Sequence, residues 1–116
     1  MQKSQTSPLQ TLEHQYRRLA HSLAATGYIS QGSVLDRSTL RLPRSGYQWT
    51  RKLAQKTITV ALSRQQYEHL RKAIENRRRL TKTLAQMEKL SRQILFSSLA
   101  DTRRRKPLRK KVLGTL

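Results

Sequence analysis

Apolar residues near the start of the chain recur at Leu9, Leu12, Tyr16, Leu19 and Leu23. These alternating three- and four-residue steps place them on one narrow stripe of a helix. Ser7-Pro8-Leu9-Gln10 supplies its start: Ser7 can cap, Pro8 suits the first helical position, and Gln10 stands where a capping-box partner belongs. Gly27 is a natural terminator. From Tyr28 to Leu62 the period changes, with β-rich runs at Tyr28-Ile29-Ser30, Ser33-Val34-Leu35, Tyr47 to Arg51 and Thr57 to Leu62 separated by turn residues. Ile58, Val60 and Leu62 share one face of the last run. Tyr47 and Trp49 share one face of its hairpin partner across Leu53-Ala54-Gln55-Lys56. Pro43 to Gly46 reads as the preceding loop. The pattern predicts a small antiparallel sheet.

A second helix has the clearest start in the chain. Ser63 caps it, Gln66 completes the box, and Leu62 with Tyr67 forms a hydrophobic staple. Leu70, Ala73, Ile74, Leu80, Leu84, Met87, Ile94 and Leu95 fall on one broad face over roughly thirty residues, long for a globular helix. The first helix is the obvious intramolecular partner but is too short to cover that face, so a homodimer through the second helix, as a coiled coil, is the alternative. The organisation expected is a disordered end at residues 1–6, one small α+β domain over 7–99 and a basic tail at 100–116. A like-charged tail of this kind should be disordered when free.

Charge narrows the choice of partner. The chain of 116 residues holds 25 Lys and Arg against 6 Asp and Glu, a formal net charge of +19 and a sequence pI near 11.7. Such a balance repels itself in the compact state unless a polyanion supplies the missing negative charge. Hydrophobic residues make up 35% and aromatics 5%, so the core must be small. There is no cysteine, which excludes disulfides, thiolate chemistry and Cys-based zinc sites. Met1 to Thr6 leads into no apolar run of signal-peptide or membrane-spanning length, which predicts a soluble, cytoplasmic protein and no membrane partner.

Catalytic signals are poor. His14 and His21 share a helix face, but no acid stands at a spacing that completes a metal or proton-transfer site. Glu13, Asp36, Glu68, Glu75, Glu88 and Asp101 are dispersed, whereas metal-dependent phosphoryl chemistry wants clustered carboxylates. The four glycines form no phosphate loop. The expectation is a protein that is not an enzyme and uses no cofactor or metal.

The candidate binding residues are cations. At roughly 100° per residue, Arg71, Arg78, Lys82 and Lys89 line up on the second helix within a few tens of degrees, about opposite the apolar face. Lys72 and Arg79 widen the row on one side and Arg92 on the other, giving a front that tracks a phosphate backbone; the bland reading is a solvated helix face. Arg77 falls within the apolar stripe instead, so a structural role, snorkelling or pairing with an acid such as Glu13, is expected of it. Arg103, Arg104, Arg105, Lys106, Arg109, Lys110 and Lys111 put seven cations in nine positions of the tail. They would add salt-sensitive, sequence-independent affinity, or else serve solubility or targeting. Tyr47 and Trp49 beside Arg44, Arg51 and Lys52 offer a stacking platform for an unpaired base, although a small sheet also needs large residues such as Trp49 in its core.

The residues Gly32-Ser33-Val34, Tyr47-Gln48-Trp49, Lys56-Thr57-Ile58-Thr59, Ile74-Glu75-Asn76-Arg77-Arg78-Arg79-Leu80 and Leu90-Ser91-Arg92-Gln93-Ile94-Leu95 carry a resemblance. Over about residues 28–95 the chain resembles a family of small uncharacterised bacterial proteins often met near transposases and other mobile elements. Members of that family usually carry a pair of cysteines and a His-Gly-Pro element after the Gly-Ser motif. Thr39 to Gly46 stands in that region here and has neither, so no metal-binding or cysteine-dependent role carries over. The resemblance implies a strand-rich centre followed by a long helix, in a protein that works beside a transposase or similar element.

The reading these features support is a non-enzymatic accessory protein that binds the phosphate backbone of DNA or RNA. The alternatives are a structural RNA-binding subunit of a ribonucleoprotein, ribosome-like or built on a guide RNA, and a coiled-coil protein for an acidic partner. A phosphate-directed surface serves DNA and RNA alike.

Overall fold

A computed structural model of the chain describes residues 7–99 and 108–114. The elements are α1 (Pro8–Ser22), β1 (Ser33–Asp36), β2 (Tyr47–Leu53), β3 (Lys56–Leu62), α2 (Arg64–Ser98) and a helical turn α3 (Lys110–Leu113), an α+β arrangement. Residues 1–6 and Arg103 to Lys106, expected as a disordered end and part of the basic tail, lie outside the described residues.

Local chemistry accounts for the helix starts. The Ser7 hydroxyl accepts from the Gln10 N–H at 3.1 Å while the Gln10 side chain accepts from the Ser7 N–H at 3.1 Å, so both members of the expected box are made. Ser63 and Gln66 repeat the device for α2, at 3.1 and 2.9 Å. After α1 a 3-10 turn, Leu23–Ala25, runs into Gly27 at φ +79°, a left-handed conformation that ends the helix.

The chain divides into two compact units, Met1–Ala25 with Thr81–Leu116, and Thr26–Leu80.

The second unit holds the sheet and the start of α2. The strand order is β1-β2-β3, antiparallel throughout, with Trp49 opposite Val34 on one side and Val60 on the other. This register sets Val34, Asp36, Tyr47, Trp49, Arg51, Leu53, Lys56, Ile58, Val60 and Leu62 on one face, the one with more large apolar residues. Ser33, Leu35, Gln48, Thr50, Lys52, Thr57, Thr59 and Ala61 take the other, mostly polar one. The Tyr47 ring stacks on Tyr67 of α2 with centroids 4.6 Å apart, so the apolar face is the one that meets the helix. Ala73 and Ile74, each 6% exposed, are the buried residues of this unit.

The run Tyr28 to Ser30 is not a strand. Its backbone pairs with α2: the Ser30 N–H donates to the Ala73 carbonyl at 3.2 Å, and the Asn76 side-chain amide donates to the Tyr28 carbonyl at 2.9 Å. β-rich composition states a preference for extended backbone without naming the partner, and here a helix carbonyl's second lone pair and an Asn side chain take the place of a neighbouring strand.

In the first unit α1 lies along the later part of α2. Met87 is the buried residue there, at 9% exposure, and no residue of α1 is buried. In the described part of the tail Gly114, at φ +78°, caps α3 by donating to the Lys110 and Lys111 carbonyls, and the Arg92 guanidinium donates to the Leu113 carbonyl.

Candidate nucleic-acid interface

In the second unit the cations of α2 are presented to solvent. Arg71, Lys72, Arg78 and Arg79 are all exposed. The helical repeat separates Arg71 and Arg78 by about 20° and sets Lys72 and Arg79 to one side of them. Arg79 donates to the Asn76 side-chain oxygen, which orients one guanidinium and leaves Asn76 able to hold Tyr28 through its amide. Among the described residues the side chains of Arg71, Lys72 and Arg78 make no hydrogen bond or ion pair. Two carboxylates lie on the same side of the helix: Glu75 among these cations, and Glu68 one turn before Arg71, paired with Arg64 at 3.3 Å.

The sheet separates the residues that the sequence set side by side. Arg51 lies beside Trp49, its guanidinium carbon 5.6 Å from the ring centroid, whereas Lys52 projects from the opposite, polar face. The Trp49 ring is half-buried, and its N–H donates to the Gln31 carbonyl at 2.9 Å. Gly32 stands so close that a Cβ there would meet the Trp49 Nε1 at 2.6 Å. Tyr47 is half-buried against Tyr67. Both rings thus have intramolecular neighbours on the helix side of the sheet.

Arg44 sits in the loop that follows β1. Asp36 caps the 3-10 turn Arg37–Thr39, accepting from the Ser38 hydroxyl at 2.7 Å and the Ser38 N–H at 3.0 Å. These two hydrogen bonds hold its carboxyl below the usual carboxylate range. The Arg37 N–H donates to the Gly46 carbonyl and the Arg44 N–H to the Arg37 carbonyl, at 2.9 and 3.1 Å, closing the loop. Arg41 and Arg44 are exposed on it, and Arg37 reaches Gln48 at 3.2 Å. Helical and strand periodicity give no reason to single out Arg37 and Arg41; the signal that could have found them is Asp36 followed two residues later by Ser38, an Asx-type turn that brings both ends of the loop together.

In the first unit the expected row behaves unevenly. Lys82 is exposed, but Lys89 is half-buried and lines a groove with Leu12 and Leu19 of α1 and Leu90 of α2. Lys89 is therefore on the side of α2 that faces α1 and does not stand opposite it. Arg92 is also half-buried, engaged with Leu113. Arg109, Lys110 and Lys111 are exposed around α3. Glu13, suggested as an acid for Arg77, pairs with Arg17 at 3.5 Å within α1.

No group of three or more His, Asp or Glu among the described residues is placed to hold a metal ion, and no described helix is long and apolar enough to cross a membrane. Comparison with known proteins finds no family, no curated protein and no solved structure that matches this chain.

Proposed function

We propose that the protein binds the phosphate backbone of nucleic acid and acts as a non-enzymatic accessory factor. The observation that carries this reading is the set Arg71, Lys72 and Arg78: exposed on one helix, with side chains that have no hydrogen-bond or ion-pair partner among the described residues, in a chain of net charge +19. Six acids cannot neutralise 25 cations even if every one of them is paired. Guanidinium and ammonium groups held apart on a helix suit successive phosphates, which position a protein without specifying sequence. The resemblance over residues 28–95 suggests a setting beside a transposase or similar element; assembly into a ribonucleoprotein uses the same surface chemistry.

The test is a salt series. Replacing Arg71, Lys72 and Arg78 together by Gln is expected to weaken binding to every sequence. On duplex DNA it should also flatten the dependence of log K on log salt, by about 0.9 for each phosphate that is no longer neutralised. An unchanged slope would remove this helix from the binding surface.

A further inference from the structure

In the second unit an open hollow of about 510 Å³ lies between the segment from Tyr28 to Ser30 and the first turns of α2. Tyr28, Ile29, Leu62, Gln66, His69 and Leu70 are among its lining residues, and none of the residues that line it is acidic. Its volume falls in the range of small-ligand sites.

The main chain beside the hollow is tethered at two points, Tyr28 carbonyl to Asn76 and Ser30 N–H to the Ala73 carbonyl. Gly27 packs close to the same Asn76, where a Cβ would come within 3.2 Å of the amide nitrogen. Tyr28 is therefore presented from anchored backbone, yet it is 91% exposed and contributes almost nothing to the core. Gln66 uses its side-chain oxygen on the Ser63 N–H, and neither its NH₂ nor the His69 ring makes a hydrogen bond among the described residues. An anchored, solvent-facing ring with uncommitted polar groups beside it, in a cationic protein, matches the two faces of one ligand class. A nucleobase offers a π surface for stacking and an edge of donors and acceptors, and both are reachable only when the base is unpaired and unstacked.

We propose that this hollow receives one unpaired nucleobase, stacked on Tyr28 and met at its edge by Gln66 and His69, so that the protein prefers single-stranded to fully paired nucleic acid. The proposal rests on the phosphate-binding reading and adds to it the state of the strand. Tyr47 and Trp49 do not compete for this role, because each ring already has a partner inside the protein.

The experiment uses the full chain, a labelled single strand of mixed sequence and its duplex of equal length, across a range of salt, with Tyr28→Ala and Tyr28→Phe. The expected result is tighter binding of the single strand by the unaltered protein. Tyr28→Ala should lose about 5- to 150-fold on that strand alone, with the salt slope unchanged, because stacking and not a phosphate interaction is removed. Tyr28→Phe should retain the affinity, since the ring stacks without its hydroxyl. Salt-sensitive binding that Tyr28→Ala does not alter, or weakens equally on both forms, would overturn the base site and leave the phosphate reading intact. No salt-sensitive binding to either form would overturn both. Self-association that disappears in Tyr28→Ala with strand affinity unchanged would assign the ring to a second copy of the chain, and likewise overturn the base site.

Discussion

Gly32 is the residue on which the packing of the second unit turns. It adopts φ +99°, and a Cβ would lie 2.5 Å from the Thr50 carbonyl oxygen and 2.6 Å from the Trp49 ring nitrogen. Both neighbours are fixed, one as strand backbone and the other by its bond to Gln31, so a side chain can be admitted only by shifting the β2 register or expelling the ring. Gly32→Ala is expected to lower stability by about 1 to 3 kcal/mol. Trp49 is the chain's single tryptophan, so its fluorescence during urea unfolding reports the change directly. An unchanged midpoint would mean that the ring is not seated against Gly32.

Among the elements, the β2–β3 hairpin carries an evident local misfit. Its two-residue turn, Ala54-Gln55, has φ values of +49° and +67°. This is the left-handed pair that a tight hairpin needs to match strand twist, and it is usually supplied by Asn-Gly. Alanine and glutamine hold it at a steric cost that the seven residues of each strand offset through pairing. Replacing Ala54 by Asn together with Gln55 by Gly should raise stability by about 1 kcal/mol or more, read as a higher urea midpoint at constant slope. A lower midpoint would show that the turn relaxes out of this conformation in solution. The α2 start needs no such repair, because the Ser63–Gln66 box is complete.

Taken over the whole chain, large charge meets slight burial. No described side chain is fully buried, and Ala73, Ile74 and Met87 are the buried apolar residues among those described. Burial of that extent leaves little to set against the mutual repulsion of a chain carrying +19. Thermal stability should therefore rise with ionic strength, as screening shortens the reach of each charge from about 30 Å at 0.01 M to about 3 Å at 1 M. A polyanion such as inorganic polyphosphate should raise it further at low salt, because it binds the folded arrangement of cations. Differential scanning fluorimetry with and without polyphosphate measures both effects. A melting temperature that falls as salt rises would show that surface ion pairs, of which Arg17–Glu13 and Arg64–Glu68 are two, outweigh the repulsion.

Much of the fold was legible because its signals are local. Ser7 with Gln10, and Ser63 with Gln66, act across three residues of chain, and the three- and four-residue repeat of Leu9 to Leu23 needs no knowledge of a partner. The net charge, the helical angle that groups Arg71 with Arg78, and the absence of cysteine are likewise properties of residue identity and spacing. What lay beyond the sequence were choices between long-range partners of similar local propensity. The run Tyr28 to Ser30 has the composition of a strand, but only the approach of Ala73 and Asn76, more than forty residues away, made it a tether on α2 and left the Tyr28 ring outside. Alternation told that Tyr47 and Trp49 share a sheet face; the Tyr67 stack and the Gln31 carbonyl decided that this face is the inner one. Lys89 and Arg92 belong by helical angle beside Arg71, and the packing of α1 and the carbonyl of Leu113 drew them in. Short-range hydrogen bonding and periodicity are written in neighbouring residues, whereas the burial of a ring or a cation depends on what the rest of the chain brings to it.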